Sequence, residues 1–474
     1  MKKLAYIKNT RNLELKILGY ASFAFLFLAS VYFYKERIYF ADSAFQFFKI
    51  LNFEKINVEA YRYGAILPEL PLILAMKLGF NLKTLTIIFS ASFILLYFII
   101  FLFCVHLLKN ISAGLSIVLV LIICISQSFF HPVTETHQSL VFSILVFATL
   151  QYPFRNQLIQ GSLASLGIAI SFLAHPVAVY ALIFVIGYSA IDKKQLRSVI
   201  PYLLLTLIMG LAVGKVLFTD ENSYEGKFFS ELLNSPAIIL DLPNAYSTKF
   251  FLNRIPRLYF WVMILECYVG IILLLKKEYL KLLWQLGTII FFLIVTLLTY
   301  NKGDSDMMME RAFMPLALFI CLPFLKETLQ TASRYQYVKI TFLIAIITFS
   351  FIRIYSQGMK FRERTRFNQE LLAKTAKLPN RKFIVQISEL QKYHIAYWSY
   401  SFETLMLSTI TKDIPTQTIF PANDTNKYLK YSEEAGNIFL GADFWLEWEI
   451  DNLNHKYFNL STELPYAIIK TDEF

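Results

Sequence analysis

Residues 18–34 read LGYASFAFLFLASVYFY, an uncharged run within the roughly 17 to 25 residues that a membrane-crossing helix needs. Close behind it comes IYFADSAFQFF, residues 38–48, in which one acid, Asp42, stands among aromatic side chains. A carboxylate in such company is costly to keep ionised unless it has a partner or a purpose. Composition decides the setting. The chain has 474 residues, is 56% hydrophobic and only 17% charged, and its mean hydropathy is +0.51. These values exclude a soluble enzyme with one large core and predict an all-α polytopic membrane protein. Cys104, Cys124, Cys267 and Cys321 lie in apolar runs with no CxxC pair, so neither a disulfide framework nor a zinc site is indicated. A net charge of +11 in such a chain is first a matter of topology; no nucleic-acid partner is expected.

Apolar runs at about 17–34, 84–108, 111–130, 138–152, 160–174, 177–190, 199–217, 257–275, 281–299, 312–325 and 338–355 predict about eleven transmembrane helices. Basic residues gather in alternate connections: MKKLAYIKNTR at 1–11, Lys109, Arg155, DKKQLR at 192–197, KKEYLK at 276–281 and KETLQTASRYQYVK at 326–339. The positive-inside rule makes those connections cytoplasmic. The expectation is a multi-pass protein of the cytoplasmic (inner) membrane, N-terminus inside and C-terminus outside, whose first span is retained. The outer connections then carry the polar chemistry: 35–83 with Asp42, FFHPVTETHQ at 129–138, LAHP at 173–176, 218–256, and YNKGDSDMMMER at 300–311. AILPELPLILAMKLGF at 65–80 is short, holds two prolines and Glu69, and reads as a helix lying in the outer interface. Beyond 355 the chain turns polar and mixed. Strand-like RKFIVQI, TQTIFPA and YAIIK and helix-like SYSFETLMLSTI predict a small extracytoplasmic α/β domain over 356–474, after a membrane domain over 1–355. The aromatics of HIAYWSYSF and ADFWLEWEIDN serve either that domain's core or the stacking of sugar rings.

An acid soon after the first span, the interfacial LPELPLILAMKLGF helix, a second outer acid in HPVTETH, the His-Pro bend of LAHPVAV and the MERAFMPL start of a late span together resemble the GT-C superfamily of membrane glycosyltransferases. Protein mannosyltransferases and aminoarabinose transferases are of this kind. The resemblance covers residues 1–355 as a pattern of topology and loop chemistry. It implies an inverting glycosyltransferase that takes a sugar from a polyprenyl phosphate or pyrophosphate and passes it to a lipid, glycan or protein acceptor outside the cytoplasm. Many members carry two adjacent acids in the first loop; here Asp42 is followed by Ser43, which counts against a need for metal.

Such a transfer needs a base for the acceptor hydroxyl, cations for the developing phosphate charge and a cavity that excludes water. Asp42 reads as the base, or as the cap of a helix starting at Ser43. Glu135 is the second catalytic candidate. Phosphate candidates are Arg62, His175 and Arg311, and also Lys249, Arg254 and Arg257, which read rather as anchors to lipid headgroups. His131, His137, Asp304, Asp306 and Glu310 are candidates for acceptor or sugar contacts, although Glu310 and Arg311 also suit a local ion pair. No cofactor is required, a divalent cation has weak support, and no metal ligands are assigned. A lipid or glycan transporter, or a scaffold on the same fold, is the competing expectation; transport would need ionisable groups deep in the spans, where only Lys215 and Glu266 are candidates.

Overall fold

A computed structural model describes residues 2–59, 61–219, 226, 241–329, 336–390, 396–433, 436–442 and 445–470. Most of the 218–256 connection and part of 326–339 therefore lie outside the described residues. The fold is mostly helical (73%), with a small region of strands near the C-terminus. The chain starts as α1 (Lys2–Tyr32) and turns through α2 (Tyr34–Ile38) into α3 (Ala41–Phe53) and then the proline-bearing α4 (Ile66–Lys77). On α4, Leu67, Leu70 and Leu74 are exposed while Glu69 is buried. That stripe at helical spacing suits a helix lying along a membrane surface.

α5 (Leu82–Leu102) begins at Asn81, whose side chain accepts the Thr84 N–H. α6 (Ile111–Val120), capped by Asn110, stops after ten residues. Its run continues as turns and extended chain to α7 (Glu135–Gln151), followed by α8 (Gln157–Ala174), α9 (Ala178–Asp192) and α10 (Val199–Phe218). Then come α11 (Tyr246–Arg254), α12 (Phe260–Leu275), α13 (Tyr279–Thr299), α14 (Asp306–Ala312), α15 (Pro315–Leu329) and the 40-residue α16 (Gln336–Thr375).

Among the described residues, seven helices are long and apolar enough to cross a bilayer, or eight if the pair α14 and α15, bent by 41°, makes one span. The sequence count of eleven differs at α6, α7 and α9. α6 and α9 are short apolar helices of 10 and 15 residues, and α7 has 17 residues. All three are largely buried among other helices, whereas α10 has only 11% of its apolar window buried. Hydropathy registers an interior helix and a lipid-facing one alike, so the runs looked equivalent in sequence.

The irregular chain after α6 is held by side chains from distant helices. The Glu310 carboxylate accepts the backbone N–H groups of Ser126, Gln127 and Ser128 at 2.7, 3.0 and 2.8 Å. Arg353 donates to the carbonyls of Ile122, Ile123 and Ile125. Non-helical backbone in a membrane bundle survives where protein buries and satisfies it in this way.

One end of the bundle is tied by a knot of ions. Lys281 Nζ lies 2.7 Å from Asp192, 2.6 Å from Glu278 and 2.8 Å from Glu327. Lys276 meets Glu327 at 2.6 Å and Lys326 meets Asp192 at 3.1 Å. These residues come from the α9, α12–α13 and α15 ends, which the sequence assigns to the cytoplasmic side.

α16 runs on beyond the bundle to β1 (Lys382–Gln386), α17 (Tyr400–Ile410), β2 (Thr418–Ala422), the antiparallel pair β3 (Ile438–Ala442) and β4 (Trp445–Glu449), and β5 (Ala467–Ile469). β1 lies between β2 and β5, parallel to both, with Ile384 opposite Phe420 and Ile468. Phe48 of α3 packs against Phe402, Trp448 and Phe458 at centroid distances of 4.7, 5.3 and 5.4 Å. Trp448 thus belongs to the joint between this α/β unit and the first loop.

Candidate functional site

Asp42 occupies the opening turn of α3. Ala41 before it has a φ of +47°, the left-handed region that non-glycine residues seldom adopt, and Phe40 at the N-cap offers no side-chain acceptor. The helix end is satisfied from elsewhere: the Ala41 N–H donates to Glu403 Oε1 at 3.1 Å. Glu403 is in turn held by Arg364 and by Ser399 Oγ at 2.7 Å, and Arg364 donates to the Tyr39 carbonyl at 3.1 Å. The capping role that the sequence allows for Asp42 therefore falls to Glu403. The Asp42 carboxylate faces other side chains.

Its Oδ2 lies 3.2 Å from His131 Nε2 and 3.8 Å from Arg311 Nη1. Arg311 Nη2 also bonds His131 Nδ1. A guanidinium only donates, so Nδ1 accepts and the neutral imidazole carries its proton on Nε2, towards Asp42. Arg311 and Asp42 are thereby linked both directly and through His131. Burial alone would raise the Asp42 pKa, but the His131 contact and the positive charges of Arg311 and Arg62 outweigh it and bring it to about 2. Burial and then Arg311 hold His131 below its ordinary value, against the pull of Asp42. Half of the Asp42 side chain is open (50%), while His131 is fully buried.

Arg62, from the loop between α3 and α4, reaches Glu135 at the start of α7, Nη1 to Oε2 3.3 Å. Gly64 permits this approach: a Cβ there would sit 2.6 Å from the Ala174 Cβ and 2.8 Å from its Cα. The loop thus lies against the end of α8, next to His175. Arg62, His175 and Arg311 border a cavity of about 340 Å³, which Lys215, Thr134 and Tyr300 also line and whose remaining wall includes Phe172, Val179, Phe292 and Val295. His175 Nδ1 accepts the Val177 N–H at 3.1 Å. Burial, and then Arg62, Arg311 and Lys215, drive its pKa far down, so it is a neutral polar group.

Four connections thus bring Asp42, Arg62, His131, Glu135, His175 and Arg311 together. Other residues chosen from sequence lie apart. His137 turns to Tyr97 at a ring distance of 6.3 Å. Glu310 is engaged by backbone N–H groups rather than open to a ligand. Asp306 pairs with Arg254, Asp304 accepts the Ser305 N–H at 2.6 Å, and Lys249 and Arg257 are exposed. Sequence reasoning missed Glu403 and Arg364, which no local spacing connects to Asp42, and the structural use of Glu69. Glu69 accepts from Gln46 Nε2 at 2.6 Å and from the Asn57 N–H at 2.9 Å, and burial lifts its pKa to about 7.

The arrangement can hold an anion on two arginines, keep an apolar chain along the cavity wall and present an ionised carboxylate beside them. Among the described residues, no three His, Cys, Asp or Glu side chains gather as a metal site. Comparison with protein-family models, with curated proteins and with solved structures finds no match for the chain.

Proposed function

We propose that the protein is an integral membrane glycosyltransferase of the GT-C kind, which moves a sugar from a polyprenyl phosphate or pyrophosphate to an acceptor on the extracytoplasmic side. The observation that carries this reading is the cavity: cationic at Arg62 and Arg311, apolar along Phe172, Val179 and Phe292, and linked to Asp42 through Arg311, which stands 3.8 Å from its carboxylate. A phosphate on the arginines with its prenyl tail along the apolar wall uses both characters at once. Asp42 takes the proton of the acceptor hydroxyl in a single displacement with inversion, and Glu135 hydrogen-bonds sugar or acceptor. With a pKa near 2, Asp42 is a weak base in the resting protein. Donor phosphate brings negative charge to Arg62 and Arg311, the cations that together with the His131 contact hold this pKa down, so donor binding itself raises the basicity of Asp42.

In this reading all eleven passes cross the bilayer, α6, α7 and α9 as short interior helices. Support comes from α7, whose ends lie at Glu135 in the site and at Gln151, bonded to Lys326 beside the ion knot. The knot then faces the cytoplasm, and the site and α/β unit face outward in the cytoplasmic (inner) membrane. The transport alternative draws less support: Glu266 bonds Gln285 at 2.6 Å and does not line the cavity that holds Lys215.

Mass spectrometry of extracellular glycans and lipids, from cells with the wild-type chain, without it, and with Asp42→Asn, tests the activity. A glycan present only with wild type supports transfer; accumulation of the same glycan in all three strains overturns it. An impermeant maleimide on intact cells should label Lys412→Cys and spare Lys194→Cys, and the reverse pattern would invert the proposed topology.

A further inference from the structure

A second cavity, of about 240 Å³, lies in the α/β unit, between the start of β1 and the β3–β4 pair. It is lined by Lys382, Lys430, Tyr431, Glu447 and Tyr466, with Gly436 and Ile438. Lys382 is 1% exposed. Its ammonium uses one donor on the Gly436 carbonyl at 2.7 Å and stands 5.5 Å from the Tyr466 ring centroid. Among the described residues it meets no carboxylate. The acid nearest in the lining, Glu447, is already engaged, by Lys430 at 3.3 Å and by the Tyr431 hydroxyl. A buried ammonium without a counter-ion is costly, because desolvation is not repaid by an opposite charge.

The two tyrosine rings stand 6.4 Å apart at 67°, and the Tyr466 hydroxyl is fixed by the Leu440 N–H at 2.7 Å. Aromatic edges beside a carboxylate that accepts hydroxyls suit a sugar ring. The volume falls below the roughly 300 to 1,000 Å³ of pockets for drug-sized ligands. We propose that this cavity is a binding site for a monosaccharide-sized anionic sugar, its carboxylate or phosphate on Lys382, its ring against Tyr431 and Tyr466 and a hydroxyl on Glu447. The site is separate from the Asp42 cavity and does not depend on the function proposed for it.

Burial lowers the Lys382 pKa to about 8. The other groups facing the cavity do not follow it into that range: Lys430, Tyr431 and Tyr466 are raised above their ordinary values and Glu447 is lowered below its own. Affinity for an anion should therefore fall between pH 7 and 9.5 through Lys382 alone.

The test is isothermal titration calorimetry on the full chain in detergent, with sodium glucuronate, glucose 1-phosphate and glucose as probes. At least one anion should bind at pH 7 at least tenfold more tightly than glucose, and which anion does so separates a carboxylate from a phosphate ligand. Binding should weaken by roughly 10- to 30-fold by pH 9.5 and be lost in Lys382→Met. No binding of either anion, equal binding of glucose, or a folded Lys382→Met protein with wild-type affinity would overturn the proposal. If Lys382→Met does not fold, the wild-type pH dependence and the preference over glucose decide.

Discussion

Two polar clusters sit at the ends of this bundle, each of carboxylates and basic side chains but put together differently. The knot sets Asp192, Glu278 and Glu327 against Lys276, Lys281 and Lys326, with ion contacts of 2.6 to 3.1 Å. The site sets Asp42 and Glu135 against Arg62, His131 and Arg311 through carboxylate contacts of 3.2 to 3.8 Å, next to a cavity. Among the described residues, Arg311 Nε has no hydrogen-bond partner. A closed cluster of charges locks elements together; a slack one beside open space retains capacity for a ligand. Mutations at the two ends should accordingly separate stability from turnover.

The largest effect is expected at Asp42. Asp42→Asn keeps size and most hydrogen bonding but removes the ionised oxygen, and the proposed glycosyl transfer should drop by about 100- to 10,000-fold in a protein that still elutes as folded. A fully active variant would remove Asp42 from the chemistry. Arg311→Lys comes next. It retains charge but loses the fork that meets His131 and Asp42 together, so transfer should fall by roughly 10- to 100-fold, whereas Arg257→Lys, at an exposed position, should be silent. Equal tolerance at both positions would make the site no different from the surface.

Lys281→Met should do the reverse. It leaves three carboxylates short of a partner and should lower stability by about 3 kcal/mol or more, read as a reduced unfolding midpoint in detergent, while turnover per folded molecule stays the same. The smallest effect concerns acid. The folded Asp42 pKa is depressed to about 2, so its pairing contributes fully above the ordinary carboxylate range and is lost progressively from there as pH falls through about 2. The difference in unfolding midpoint between wild type and Asp42→Asn should hold constant from pH 7 to about 5 and shrink below pH 4. It should be small throughout, because half of the Asp42 side chain is open to solvent screening.

The sequence made some features of this chain easy to read and left others out of reach, and the dividing line is range. RKFIVQI, TQTIFPA and YAIIK became β1, β2 and β5, and SYSFETLMLSTI became α17, because alternation, β-branching and helical spacing act over a few residues. The four connections that meet at Asp42, Arg62, His131, Glu135, His175 and Arg311 could be grouped from sequence because charge alternation along the chain is a long-range rule written in local residues. Glu310 shows the limit. Its neighbour Arg311 suggested a local pair, yet its carboxylate satisfies backbone 182 to 184 positions away, and only the broken α6 run explains why. The same holds for His131 and His137, six residues apart in sequence, of which the structure brings one to Asp42 and turns the other, in the first turn of α7, to Tyr97.

The bond from Ala41 to Glu403 spans 362 positions of sequence, and that span has a consequence in time. At roughly 5 to 20 residues per second of synthesis, Asp42 is made on the order of half a minute before the residue that fixes the turn beneath it. Until Glu403 and Arg364 arrive, α3 has no acceptor for its first N–H and Ala41 has little to hold it in a left-handed turn. A chain interrupted before residue 403 could fill the membrane with helices and still lack a set carboxylate, so the order of translation itself delays the site until the last segment is in place.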